Sequence, residues 1–335
     1  MKKKILFVSL VVILALSVGI VGCTSSAEQE EEEEEEVYNI GIAQLGTHVA
    51  LDAAREGFID QMADEGYVDG ENVEYIVRNA EFDSSTYATI ADYFVSEPVD
   101  LIYSIATPIT QACADAVEGT DIPVVFSAVT DPVAAGFAES WEVPGGQVTG
   151  ASDWADVEAQ VKLGMDIFPA ERLGVIYNAG EVNSVVQVDI LKDVASSLGI
   201  TEIVEATAAT TADVYGAAQS LVGRVDAIWE PSDNTVAGAI ESVVQVCEEN
   251  DIPLFCSDVG MASEGAISGA GLDYYVNGQT AGELAARILE GEDPGAIPIA
   301  MTPMTIIYLC QAAAERMGIT IPAQVLATAT EVCEE

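Results

Sequence analysis

From residue 38 onward the chain alternates short, continuous apolar runs with longer stretches in which apolar positions recur at helical spacing. Residues 38–44, 71–78, 101–105 and 123–126 predict strands, and residues 49–65, 84–96 and 108–117 predict helices. After the passage Pro144-Gly145-Gly146 the rhythm restarts, with strands over 173–177, 202–205, 227–229 and 254–256. Helices are predicted there over 157–167, 184–198, 214–222 and 236–249. Strands this short and this rich in Val and Ile are buried on both faces, as in parallel sheets. Repeated βα units give right-handed crossovers with helices covering both faces of each sheet. Two such runs of similar length predict an α/β protein of two doubly wound parallel-sheet lobes.

The N-terminus has a different pattern. Lys2, Lys3 and Lys4 precede an apolar run over residues 5–21, and Gly22-Cys23 closes it with a small residue before a cysteine. A basic start, a short apolar stretch and a small-residue exit are the parts of an export signal. The placement of Cys23 resembles the lipobox of bacterial lipoproteins, so residues 1–22 are expected to be a signal peptide and Cys23 the lipidated first residue. The run is close to the length of a membrane-spanning helix, but the cysteine favours a lipoprotein. Residues 30–36 are an unbroken glutamate run, whose self-repulsion predicts a solvated tether through residue 36. No later segment is apolar for long enough to span a bilayer, which places the body outside the cell membrane, tied to it by lipid alone.

Charge narrows the partners. The chain has 11 basic and 56 acidic residues, a formal net charge of −45. Nucleic acid is excluded as a partner, since its phosphates would be repelled. Half of the residues are hydrophobic, enough for one large or two medium cores. Beyond Cys23 the cysteines are Cys113, Cys247, Cys256, Cys310 and Cys333, without a CxxC, and His48 is the sole histidine. No metal site is expected from that set, and the thiols are expected to be buried and unpaired. No cofactor motif is present: neither G-x-G-x-x-G after the first strand nor a P-loop. A G-x-S-x-G elbow is also absent, and His48, without a neighbouring nucleophile, is expected at the surface or a pocket rim. The chain reads as a binding protein and not an enzyme.

In open parallel sheets ligands bind beyond the carboxyl ends of the strands. The residues there are Gln44, Ala106 and Thr107, then Ser127, Thr130 and Asp131, then Asn178, Glu181 and Asn183, and finally Asp233, Asn234 and Asp258. Thr107-Pro108 predicts a capped helix start whose free amides suit an anion, and Thr130-Asp131-Pro132 repeats the device. The second half supplies the acids Glu181, Asp233 and Asp258. An anion-friendly lobe facing an acidic one suits a zwitterion such as an α-amino acid. Acids and amides at strand ends would also serve the hydroxyls of a sugar or nucleoside.

At these residues the chain resembles the substrate-binding lipoproteins of ABC transporters related to tryptophan- and tyrosine-binding proteins. The resemblance is carried by Ile40-Gly41-Ile42-Ala43-Gln44, His48 with Ala50-Leu51-Asp52, Ile105-Ala106-Thr107-Pro108, and residues 125–136. It continues through Gly174-Val175-Ile176-Tyr177-Asn178, Glu181 with Asn183-Ser184, Asp233-Asn234-Thr235, and Asp273-Tyr274-Tyr275 with Gly278. Val49 stands where the family usually has proline. The resemblance implies a type I periplasmic-binding fold whose chain crosses between lobes three times. Residues 37–150 plus 273–299 would form lobe one, and 151–272 plus 300–335 lobe two. It also implies a monomer that delivers a small molecule to permease subunits. In that frame Thr107, Ser127 and Thr130 would hold a carboxylate, and Asp233 or Asp258 an ammonium. Gln44, Asn178, Glu181 and Asn183 would trim the pocket, and Phe126, Tyr177 and Trp229 are core residues or stacking partners. A sensory lipoprotein would have the same binding chemistry.

Overall fold

The computed structural model describes residues 37–154 and 156–334. The signal segment, Cys23 and the glutamate tether lie outside the described residues. Among the described residues no helix is long and apolar enough to cross a membrane.

The first sheet has six strands in the order β11-β5-β4-β3-β1-β2. They are β1 (Tyr38–Gln44), β2 (Val73–Asn79), β3 (Leu101–Ile105), β4 (Val124–Val129), β5 (Val148–Ser152) and β11 (Ala300–Met301). Every pairing in it is parallel. Helices α1 (Val49–Asp64), α2 (Tyr87–Ser96) and α3 (Thr107–Ala116) make the intervening crossovers.

The second sheet has seven strands in the order β13-β12-β10-β9-β8-β6-β7. These are β6 (Arg172–Tyr177), β7 (Glu202–Thr207), β8 (Ala227–Glu230), β9 (Leu254–Cys256), β10 (Ser268–Gly271), β12 (Ile306–Cys310) and β13 (Glu331–Cys333). Only the β10–β12 pair is antiparallel. Its helices are α4 (Val157–Ile167), α5 (Val182–Val194), α6 (Val214–Leu221), α7 (Asn234–Ala237), α8 (Ile240–Glu249), α9 (Val259–Ser263), α11 (Gln311–Arg316) and α12 (Ala323–Leu326). Helix α10 (Tyr274–Leu289) leaves the second sheet and packs in the first lobe, on α1, β4 and β5. Each lobe has its own apolar core, one built around Phe58, Phe94, Tyr103 and Phe126, the other around Trp229, Phe255 and Leu254.

Several expectations need correction. The helix over 236–249 is broken at Gly238-Ala239 into α7 and α8. Residues 84–86 form a single tight turn, capped by Asp83, before α2 begins. Strands β5 (VTGAS) and β10 (SGAG) escape the apolar pattern because Gly, Ala and Ser cut short the apolar run in the first and make up the whole of the second, although both are fully buried. Cys310 and Cys333 are not free thiols: they are register partners on β12 and β13, Cα atoms 4.3 Å apart, and are joined as a disulfide. Cys113, Cys247 and Cys256 are buried and free, as expected.

Helices α1 and α10 lie backbone to backbone because both present glycine at the crossing. A Cβ on Gly57 would stand 2.0 Å from the Tyr275 carbonyl oxygen, and one on Gly278 would stand 1.9 Å from that of Ala54. No rotamer relieves a clash with backbone, so a methyl there forces the helices apart. Gly278→Ala should therefore lower the unfolding free energy by about 1–3 kcal/mol, read from the denaturant midpoint; an unchanged midpoint would show that this crossing is looser than described.

Candidate functional site

Both sheets turn the carboxyl ends of their strands towards the space between the lobes, where open parallel sheets place ligands. Lobe one brings His48, Ala50 and Leu51 at the start of α1, Phe82 from the loop after β2, and Ala128 and Thr130 from the end of β4. The passages between the sheets bring Asp153, just after β5, and Tyr274, at the start of α10. Lobe two brings Asn183, Ser232, Asp233, Asn234, Ala237 and Asp258. Together they enclose a narrow cavity of about 30 Å³, measured at the centres of water-sized spheres.

Acids dominate its electrostatics, and no Lys or Arg is among the lining residues. The nearby Arg55 is already bound to Asp52 and Gln44. Asp153 accepts hydrogen bonds from Thr130 Oγ1 (3.0 Å) and the Tyr274 hydroxyl (2.9 Å). Burial pushes its carboxyl up to about 6 in spite of those donors, and the facing Asp258 adds to the shift. Burial also raises Asp258, against the pull of His48 and of the Met261 and Gly260 amides. Asp233 is raised by burial and by Glu181, although Ser184 Oγ, Asn178 N–H and Val236 N–H all donate to it. The largest cause of each shift is the same: a carboxylate taken out of water.

Of the residues selected from sequence, Thr130, Asn183, Asp233, Asn234 and Asp258 line the cavity. The others stand behind it or beside it. Gln44 is consumed by Asp52, Arg55 and the Gly46 carbonyl. Ser127 Oγ pairs with the Tyr103 hydroxyl at 2.6 Å. Glu181 accepts from the amides and side chains of Asn234 and Thr235 and so ties α7 to α5 within lobe two. Asn178 holds Asp233 through its N–H and Thr235 through its side chain.

The two expected anion devices are built differently. Ala106, with φ +89°, is the residue that precedes α3; Thr107 lies inside the helix, and its buried Oγ1 has no partner. Asp131 starts no helix: its Oδ1 caps a turn through Val133 and Ala134 N–H. Phe126 and Trp229 are core residues, and Tyr177 points its hydroxyl to Glu205. The cavity's aromatic side chains are instead Phe82 and Tyr274. Asp153 and Tyr274 were missed because they follow β5 and β10, the strands that the apolar pattern did not reveal, although Tyr274 sits in the Asp273-Tyr274-Tyr275 motif. Val49, in the family's usual proline position, is an exposed first-turn residue of α1.

The family model described as ABC transporter substrate binding protein matches residues 39–333. The chain belongs to that family. This places it among solute-binding proteins and not enzymes, with the two lobes of the type I periplasmic-binding fold. A relative called tyrosine-binding protein, from Clostridioides difficile (strain R20291), is 41% identical over 314 residues, covering 92% of this chain and 90% of the relative. The structure of an ABC domain in complex with L-Trp from Streptococcus pneumonia matches with a TM-score of 0.84 at 32% identity, over 89% of this chain and all of that one. The ligand-free, open structure of a substrate-binding protein with adhesive properties from Clostridium difficile gives 0.66 at 38% identity, with the same coverage of both chains. The open relative is nearer in sequence than the tryptophan complex but fits less well overall.

The raised acids have a consequence for stability. Their folded pKa values lie above the unfolded ones, reaching about 6 at Asp153 and about 7 at Asp233, so the folded state holds extra protons between about pH 4 and 7, and stability falls as pH rises through that window. The melting temperature of the unliganded protein should thus decline from pH 4.5 to pH 7, and Asp153→Asn should flatten the decline. A melting temperature that rises over that range would contradict the burial of these carboxylates.

Proposed function

We propose that this substrate-binding protein captures an α-amino acid with an aromatic side chain outside the cell membrane and delivers it, as a monomer, to the permease subunits of an ABC importer. The observation that carries this reading is the pair Asp153 and Asp258, buried on a cavity wall that carries no lysine or arginine. Such a pair lacks one positive charge, which a ligand's ammonium would supply. Asn183 Oδ1 adds a buried acceptor without a partner on the same wall, suited to a further N–H. Phe82, Tyr274, Leu51 and Ala237 form the apolar part of the lining, where an aromatic side chain would rest. Asp233, Asn234 and Thr130 complete the wall. Gln44, Ala106, Thr107, Ser127, Asp131, Asn178 and Glu181 support it from behind by fixing loops and helix starts. The relatives named for tyrosine and solved with L-Trp support the same ligand class. Closure of the lobes around the solute would be the state the permease recognises.

The export signal and the Cys23 lipobox support attachment to the outer face of the membrane, with the glutamate run as spacer. Cys23→Ala should abolish incorporation of radiolabelled palmitate and release the protein into the medium; retained label would remove the anchor from this reading.

Ligand class is tested by thermal shift, because a solute that binds only the folded protein raises its melting temperature by mass action. L-tryptophan, L-tyrosine or L-phenylalanine should stabilise the purified protein, whereas sugars and nucleosides should not. By calorimetry, Asp258→Asn and Asp153→Asn should each weaken that binding by about tenfold or more. Stabilisation by a sugar or nucleoside alone, or full amino-acid affinity in both variants, would discard the ammonium site while leaving the transport role in place.

A further inference from the structure

The cavity has a conspicuous gap for a zwitterion. An amino acid also carries a carboxylate, and the wall offers it no arginine or lysine. The hydroxyls expected from sequence to hold that carboxylate are engaged or set back: Thr130 donates to Asp153, Ser127 pairs with Tyr103, and Thr107 is not on the wall. One buried side-chain nitrogen on the wall has no partner. His48 precedes the first turn of α1, and its Nδ1 accepts the Ala50 N–H at 3.3 Å. That bond requires a lone pair on Nδ1, so in the neutral ring the proton sits on Nε2. Nε2 is buried, lines the interlobe space and has no hydrogen-bond partner. An unpaired donor buried in this way is costly unless something arrives to accept from it.

The ring also reaches across the cleft. A Cβ on Gly260 of lobe two would stand 2.9 Å from His48 Cε1, and Asp258 feels the imidazole electrostatically. His48 therefore lies beside the acid assigned to the ammonium, as the adjoining ammonium and carboxylate of an α-amino acid require.

We infer that His48 is the specificity-determining residue for the ligand's carboxylate, donating from Nε2–H to one of its oxygens when the lobes come together. This rests on the amino-acid reading above and extends it: the protein would distinguish an amino acid from the corresponding amine through a single imidazole contributed by lobe one. The fixed tautomer matters, because the backbone bond at Nδ1 leaves Nε2 as the donor without any need for a charged side chain.

The chain has one histidine, which makes the test direct. In 15N-labelled protein the imidazole Nε2–H signal is unique, and L-tryptophan should shift it strongly downfield. Tryptamine, the same molecule without the carboxylate, should not. In parallel, calorimetry compares the two ligands in the native protein and in His48→Asn, a substitution that keeps a good helix cap but withdraws the Nε2 donor. L-tryptophan affinity should fall roughly 10- to 100-fold, while that of tryptamine changes little. Should tryptamine bind too weakly to measure, the loss of L-tryptophan affinity and the Nε2–H shift decide the matter. Retention of L-tryptophan affinity within about twofold, an equal loss for both ligands, or an Nε2–H signal indifferent to L-tryptophan would each overturn the assignment of His48. Failure of the native protein to bind any amino acid would instead overturn the ligand class on which it rests.

Discussion

Carboxylates buried without a counter-charge are the constraint around which this molecule is arranged. Water solvates an exposed aspartate at no cost to the fold, but Asp153, Asp233 and Asp258 are enclosed between two lobes. The protein meets the requirement with donors rather than cations. Asp233 takes three donors from its own lobe, Asp153 takes the hydroxyls of Thr130 and Tyr274, and Asp258 takes backbone amides at the start of α9. These bonds fix each carboxylate in place without neutralising it, and the raised pKa values are the residue of unmet charge. A fold with an acidic balance this extreme has few cations to spare. Those near the cleft, such as Arg55, are tied to side chains behind the wall.

The same groups join the site to the mechanics of the fold. Asp153 and Tyr274 lie on two of the passages between the sheets, and they bond to each other. Tyr274 opens α10, whose close approach to α1 through Gly57 and Gly278 fixes the position of His48 at the other helix start. Asn277, one turn along α10, is fully buried; it accepts from Ala128 N–H and donates to Ala151 O, Ser152 O and Thr302 Oγ1. One helix thus anchors three chain passages and positions two cavity residues. A solute touching Asp153 and Asp258 together would bridge the passage and the second lobe, which is how binding energy can favour the closed arrangement.

Much of this was legible beforehand. The runs that became β1, β3, β4, β6, β8 and β9 are short and mostly apolar, and a buried parallel strand needs little more than that. Alternation with amphipathic stretches then forces a doubly wound arrangement. Small-residue strands were illegible because burial in them comes from neighbours and not from their own side chains. Ser268–Gly271 pairs with β9 and β12 through its backbone alone. The Cys310–Cys333 bond was hidden for a related reason: β12 and β13 become neighbours only once the sheet is assembled.

Among cavity residues, the sequence alone determined those whose chemistry is tied to a strand end: Thr130, Asn183, Asp233, Asn234 and Asp258 each follow a recognisable strand, and the fold class dictates that such positions face the cleft. It also set the acidic character of the wall, which is a matter of composition. Tertiary structure decided how each side chain is employed. Glu181 and Asp233 look equivalent on paper, yet Glu181 is spent on α7 while Asp233 lines the cavity, because hydrogen-bond partners are chosen by packing at long sequence distance. It likewise brought in Asp153, Tyr274 and His48, whose places depend on the passages between lobes and on a helix crossing that only two glycines permit. Local pattern fixes where a strand ends; which side chain then remains free to meet a ligand depends on what the rest of the chain has already bonded.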